Sequence, residues 1–478
     1  MTRPILLAAC ITCLTAPAAF AELSPGDAWM HVTDQLGARG LHLVAEERRD
    51  GAALVMSDVA LHWLDQSDPL IEIIGTFHLE PTSDGAVILT IPEPLHTMTF
   101  TETPSQRTYE FSGFEARFDG TPANAEISIL SDSIASRSVV EVSLDSPARA
   151  QLTTNTNLRG LQGAITSALS EDASLDMDIR GESYRSAFKF SRGEDQEFDV
   201  TTRLSETVTS LSLSSPREFD FEAFNQNPFP YLPSTFQSRQ GPMVVSGEFA
   251  NAEGRSTIDF DTGPATVDFT RTPERMRLLS DGEDAALTVE GPLPGPPLSL
   301  SMERMGYRLE LPGHLPEENQ LLVAAFGMTL EGITLGEHVW AMFDPNRLLP
   351  RDPANLELEL SASVPGARGP DGEFTFGQGG RVDLSQISLS ALGAAVSLSG
   401  GLEFFDVEEA EGDLIASAEG LLPLIFSLRD AGLLPPETVG MVQMMLPGFA
   451  TKVGPNRHES RITLTRDGSV TVNGTQIR

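Results

Sequence analysis

Chemistry, if the chain performs any, should begin with its histidines and carboxylates. Five of the eight histidines fall early, at His31, His42, His62, His78 and His96. Neutral imidazoles that converge from neighbouring strands can hold zinc or copper. The spacing lacks the i, i+2 or i, i+4 pairs that put two rings on one face, so scattered structural histidines are expected and no metal ligand is predicted. Asp176 with Asp178, and Asp259 with Asp261 beside Gly263, are i, i+2 carboxylate pairs that share a strand face. Calcium takes roughly six to eight oxygens, and neither run has the EF-hand pattern, so solvent-facing positions are the expectation. No G-x-S-x-G, H-E-x-x-H, Walker or G-x-G-x-x-G motif occurs. A Ser/His/Asp triad assembled from distant residues stays formable, because triads are defined by geometry and not by order. No catalytic residue, metal site or cofactor is predicted, and a hydrolase with dispersed residues is the alternative to a non-enzymatic role.

Two stretches offer apolar surface instead of chemistry. The first holds Phe221, Phe224, Phe229, Tyr231 and Phe236 among several prolines, which forbid a regular element while the aromatic density demands packing. It reads as a crossover plugging the core or as a lid or partner-docking loop. The second carries Met441, Met444 and Met445 in a helical pattern. A helix apolar on most sides is ordinarily buried, so packing on a sheet is the expectation, with a surface for a greasy ligand as the functional alternative. These eight residues are the candidate apolar ligand or partner surface.

Compartment follows from residues 1–21. Arg3, the apolar run Ile5 to Leu14, and Ala19-Phe20-Ala21 after Pro17 make an export leader cut before Glu22. Both cysteines, Cys10 and Cys13, leave with it. Leu7-Ala8-Ala9-Cys10 also resembles a lipobox, but apolar sequence continues past Cys10 to Leu14, which favours the later cut. A thiol-free periplasmic chain is expected. The net charge of −36 disfavours nucleic acid, whose phosphates an acidic surface repels. No later apolar run approaches the roughly 20 residues of a membrane helix. With three Trp and four Tyr, and Arg478 at the end, the aromatic girdles of an outer-membrane barrel are poorly supplied.

The elements that would position such surfaces are mostly strands. Short alternating runs broken by Asp-Gly, Gly and Pro predict antiparallel hairpins, with turns at Asp50-Gly51 and Asp84-Gly85. Helices are predicted after Ser24-Pro25, with Trp29, Val32 and Leu36 on one side and Gly37 at the end. Two more are predicted around Leu158, Leu161, Ile165 and Leu169, and from Pro316 to Phe326. A helical hairpin is predicted near the end, with Leu421, Leu424, Ile425 and Leu428 before Gly432 and Val439, Val442 and Leu446 after Pro435-Pro436. The fold class is mainly β: extended curved antiparallel sheets with a few helices, α+β in character at the C-terminal end. The Pro-rich 291–297 break is the linker candidate, and a boundary near residue 313 divides 22–312 from 313–478.

Val339-Trp340-Ala341-Met342-Phe343-Asp344-Pro345, then Leu349-Pro350-Arg351-Asp352-Pro353, resembles an alphaproteobacterial envelope family known as domain of unknown function 2125. The Asp84-Gly85 hairpin and the ending from Ile462 to Gly474 are similar to it too. The resemblance implies location and architecture, and it carries no catalytic residue. Together these readings predict a periplasmic scaffold or carrier that offers an apolar surface to a lipid-like ligand or an envelope protein, without integral membrane spans once the leader is removed.

Overall fold

A computed structural model describes residues 23–477 apart from residue 39 and the segments 64–67, 101–104, 143–149, 170–171, 193–195, 217–232, 252–253, 292–296, 314–319, 369–373, 377–378 and 406–408. The leader, Cys10 and Cys13 lie outside the described residues, as do Phe221, Phe224, Phe229 and Tyr231. The architecture is mainly antiparallel β, with four helices among the described residues. Backbone contacts divide the chain into two compact units: residues 1–140, 153–182 and 212–221 in one, and 141–152, 183–211 and 222–478 in the other.

In the first unit, Ser24 caps helix α1 (Pro25–Gly37) by accepting from the Asp27 amide, while the Asp27 carboxylate accepts from the Ser24 amide. This reciprocal pair satisfies two of the helix's unpaired donors, and Pro25 supplies the first helical φ. The strands Leu41–Asp50, Ala53–Trp63 and Pro69–Pro81 follow as consecutive antiparallel neighbours, with both Asp-Gly turns where they were expected. Their inward residues Leu54, Met56, Val59 and Leu79 join Leu23, Ala28, Val87, Ala116 and Phe118 in one core, against which Trp29 and Val32 pack.

Two predicted helices are strands. Leu158, Leu161, Ile165 and Leu169 lie on the Ala150–Leu169 strand, where Leu161 and Ser167 point inward while Gln162, Ala164 and Thr166 are exposed. Period two was hidden because the inward row runs Leu161, Gly163, Ile165, Ser167, and two of those four are not hydrophobic. Phe326 sits in the Gln320–Leu335 strand, and residues 316–319 of that expected helix lie outside the described residues. Here Leu322, Ala324, Phe326 and Met328 alternate with Leu321, Val323 and Ala325, so both faces are apolar and alternation is invisible.

The second unit is a long antiparallel ladder. The strands Arg275–Glu290, Leu298–Pro312, Gln320–Leu335, Ala354–Arg368, Gly380–Ala391, Ala394–Phe404, Ala410–Glu419 and Arg457–Leu464 pair in that order. Register makes it two-faced. Leu278, Leu309, Phe326, Leu360 and Leu384 form one cross-strand row, and Met328, Leu358, Ile387 and Leu398 the next, all half-buried. The opposite face is ion-paired, with Arg277 at 3.2 Å from Glu310, Arg304 at 2.8 Å from Asp281 and Arg308 at 3.7 Å from Glu359. Arg308 reaches Glu359 two strands away because Gly327, which stands between them in register, has no side chain to block the path. Bulges between Leu330 and Ile333 and between Leu384 and Ile387 bend these strands.

Candidate functional site

Helices gather at one end of the second unit's strands. Gly420, with φ 70°, ends the Ala410–Glu419 strand and starts α3 (Leu421–Asp430), so close to the Gly393 carbonyl that any Cβ would stand 2.4 Å from it. Only glycine meets both demands. After Gly432, Pro435 and Pro436 open helix α4 (Pro436–Phe449), Pro436 in the first helical position where no amide is needed. The far end of α4 is tied down. Ser460 donates to the Phe449 carbonyl at 2.6 Å, and Asn473 donates to the same oxygen at 3.1 Å while its own side-chain oxygen accepts from the Arg461 amide.

On α4 only Val439 is fully buried. Met441 is 55% exposed, Met444 77% and Met445 46%, and at 100° per residue the three straddle the side opposite Val439. Packing of these methionines on the sheet was the expectation from sequence, and the structure places them in solvent. The helix is apolar nearly all round yet has a partner on one side only, which leaves the other side uncovered. Leu433 and Phe449 extend the exposed surface at the two ends of the helix.

The 336–353 stretch builds the neighbouring part of this end. Helix α2 (Glu337–Phe343) begins at Gly336, whose amide bonds the Ser299 carbonyl, and stops at Asp344. That carboxylate is fully buried and accepts from the Leu348 amide at 2.8 Å and the Leu349 amide at 3.1 Å, closing the loop after the helix. Arg351 turns back over it. Its guanidinium lies 5.0 Å from the centre of the buried Trp340 ring, donates to the Asp344 carbonyl at 3.2 Å, and pairs with Glu337 at 2.5 Å. Arg347 pairs with the same Glu337 oxygen at 3.1 Å. These bonds, that of Arg351 foremost, hold the Glu337 carboxyl below its ordinary value. Pro350 rests beside Gly393, which in turn touches Gly420, so the loop after α2 and the start of α3 meet on the same turn. Met342, 65% exposed, and Leu348 add to the uncovered surface. Sequence reasoning missed this helix and both residues; the signal was the apolar run Val339 to Phe343 halted by Asp344-Pro345.

The remaining candidates lie elsewhere. Phe236 is half-buried on the Ser234–Gln240 strand, opposite Phe269, on a different element from the hairpin. Asp176, Asp178, Asp259 and Asp261 are exposed strand residues. His42 faces His62 across one strand pair, His78 faces Thr90, and His96 Nδ1 lies 3.0 Å from the Thr108 hydroxyl. Among the described residues no three His, Cys, Asp or Glu side chains are grouped to hold a metal ion.

Among the described residues one Ser–His contact is found, in the first unit. His31 Nε2 is 2.6 Å from Ser167 Oγ, and His31 Nδ1 is 2.8 Å from the Pro122 carbonyl. A carbonyl only accepts, so Nδ1 carries the hydrogen of the neutral ring and Nε2 accepts from the serine. That is the tautomer a base would need. Both side chains are 2% exposed, however, so no substrate reaches them. With Gln35 donating to the Ala168 carbonyl, the pair pins α1 to the Ala150–Leu169 strand.

A cleft of about 760 Å³ opens on the ion-paired face, walled by Asp281, Arg304, Glu331, Glu357, Glu419 and Arg457. Its charged walls suit water better than a greasy ligand. Among the described residues no helix is long and apolar enough to cross a membrane.

The profile of one protein family, described as "Uncharacterized protein conserved in bacteria (DUF2125)", matches residues 207–477. That span contains α2, α3 and α4 with the residues that anchor them, and it leaves out His31 and Ser167. No curated protein and no solved structure matches the chain.

Proposed function

The chain belongs to the DUF2125 family of bacterial proteins, and on that premise we propose that it is a non-enzymatic scaffold or carrier of the envelope that offers an apolar surface to a lipid-like ligand. One observation carries the reading: α4 turns Met441, Met444 and Met445 into solvent while Ser460 and Asn473 hold its end to the sheet. An apolar surface fixed on a rigid ladder resists collapse into the core, and thioether side chains adapt to irregular greasy shapes. The export leader read in residues 1–21 supports a periplasmic location. The Ser–His contact among the described residues is walled in and lends nothing to the alternative of a hydrolase with dispersed catalytic residues.

Organic extraction and mass spectrometry of protein purified from the envelope fraction test the proposal, together with titration of a fluorescent fatty-acid probe. Co-purifying lipid, or saturable probe binding that Met444→Glu weakens at least about tenfold, is the expected result. A chain that starts at Met1 in the cytoplasm, or one that takes up no probe, overturns it.

A further inference from the structure

We propose that the helical end of the second unit, α2 with the α3–α4 hairpin, docks on the surface of a phospholipid bilayer; this rests on the reading above and names the source of its lipid.

Charge singles out this end. The chain carries 68 acidic against 32 basic residues, yet the stretch from Leu421 to Val453 has two of each: Asp430 and Glu437, Arg429 and Lys452. Arg429 is paired with Asp430 at 2.7 Å. In α2 and its loop, Glu337 is shared by Arg347 and Arg351, Asp344 is buried, and Asp352 is the one exposed carboxylate outside these pairs, leaving the stretch one net negative charge. The chain as a whole is strongly acidic and repels anionic headgroups, whereas this end carries little net charge. A weakly charged apolar end on a strongly acidic chain meets an anionic surface with the least repulsion, helices toward the membrane.

Shape agrees. Helix α4 has 14 residues, about 21 Å at the standard rise, and it exposes three methionines toward the side opposite its anchor. A helix lying in the interface sinks its apolar side into the headgroup boundary by roughly 5–10 Å, a depth that side chains such as Met441, Met444, Met445, Met342 and Phe449 span. Surface helices that bind membranes usually carry a basic face and so need anionic lipid. This one lacks such a face, so its binding depends on buried apolar area alone and has the opposite salt response.

The test is co-sedimentation of the full-length mature protein with vesicles of phosphatidylcholine, and of phosphatidylcholine containing phosphatidylglycerol, at low and high salt. The expected results are binding to phosphatidylcholine that salt leaves unchanged, weaker binding to the anionic vesicles at low salt, and recovery of the latter as salt screens the acidic body. Met441→Glu with Met444→Glu lowers the affinity at least about tenfold. Both positions are exposed, and an unchanged circular dichroism spectrum shows that the variant folds. No binding to either vesicle overturns the proposal, as does binding that needs anionic lipid and fades with salt. A dimer in sedimentation velocity that the same variant dissociates, with vesicles ignored, assigns the surface to a second copy and overturns it too. Saturable fatty-acid binding without vesicle binding sinks bilayer docking and leaves the carrier reading standing; loss of both sinks both.

Discussion

His31 Nε2 lies 2.6 Å from Ser167 Oγ, across 136 residues of sequence, and both groups are sealed from water. A buried polar group stripped of its partner costs about 1–3 kcal/mol, because it keeps the desolvation penalty and loses the bond that offset it. Ser167→Ala should therefore destabilise the first unit by about that amount and leave every surface property unchanged. Urea denaturation followed by circular dichroism measures it. Equal stability of variant and parent would mean the contact does not form.

Trp340 gives the next expectation. Its ring packs under Arg351, whose planar guanidinium also serves Glu337 and the Asp344 carbonyl. An ammonium is compact and cannot make these contacts at once, so Arg351→Lys should lower stability by about 1–2 kcal/mol despite keeping the charge. Trp340 fluorescence, read in a background lacking Trp29 and Trp63, should shift to the red as the ring is uncovered.

Acid acts through the same cluster. The folded-state value of Glu337 is depressed, chiefly by the hydrogen bond from Arg351. Its stabilising contribution is therefore full above the unfolded value and disappears as pH falls through the folded one. The gap in thermal midpoint between parent and Arg351→Ala should narrow as the pH is lowered from about 6 to about 3. A gap that widens toward acid would contradict this sign.

Within α4, opposite sides should respond oppositely. Met444→Glu changes a side chain that is 77% exposed and should move stability by no more than about 0.5 kcal/mol. Val439→Asp places a carboxylate where 3% is exposed and should unseat the hairpin, at a cost of several kcal/mol, roughly the penalty of a buried unpaired charge. Thermal melts of the two variants compare them directly.

Much of the architecture was legible because turn chemistry is local. Asp50-Gly51 and Asp84-Gly85 announce their hairpins, and Ser24-Pro25-Gly26-Asp27 announces α1 within the same four residues that cap it. Legibility failed where the inward row is not hydrophobic. On α1 the buried stripe runs Ala28, His31, Gln35, and its two polar members are tolerated only because Ser167, Pro122 and Ala168 satisfy them from another part of the chain. No window on the sequence contains both halves of that arrangement. The methionines were found by their spacing, but exposure is a property of what else packs nearby. Only the structure shows that Val439 alone is fully buried.

Synthesis order gives the long-range clasp on α1 a temporal meaning. At roughly 5–20 residues per second, the ribosome finishes the helix on the order of ten seconds before it makes the serine that receives its imidazole. An element made early is thus among the last that can settle. Until then it stays a loose amphipathic end, its imidazole still without the serine that satisfies it.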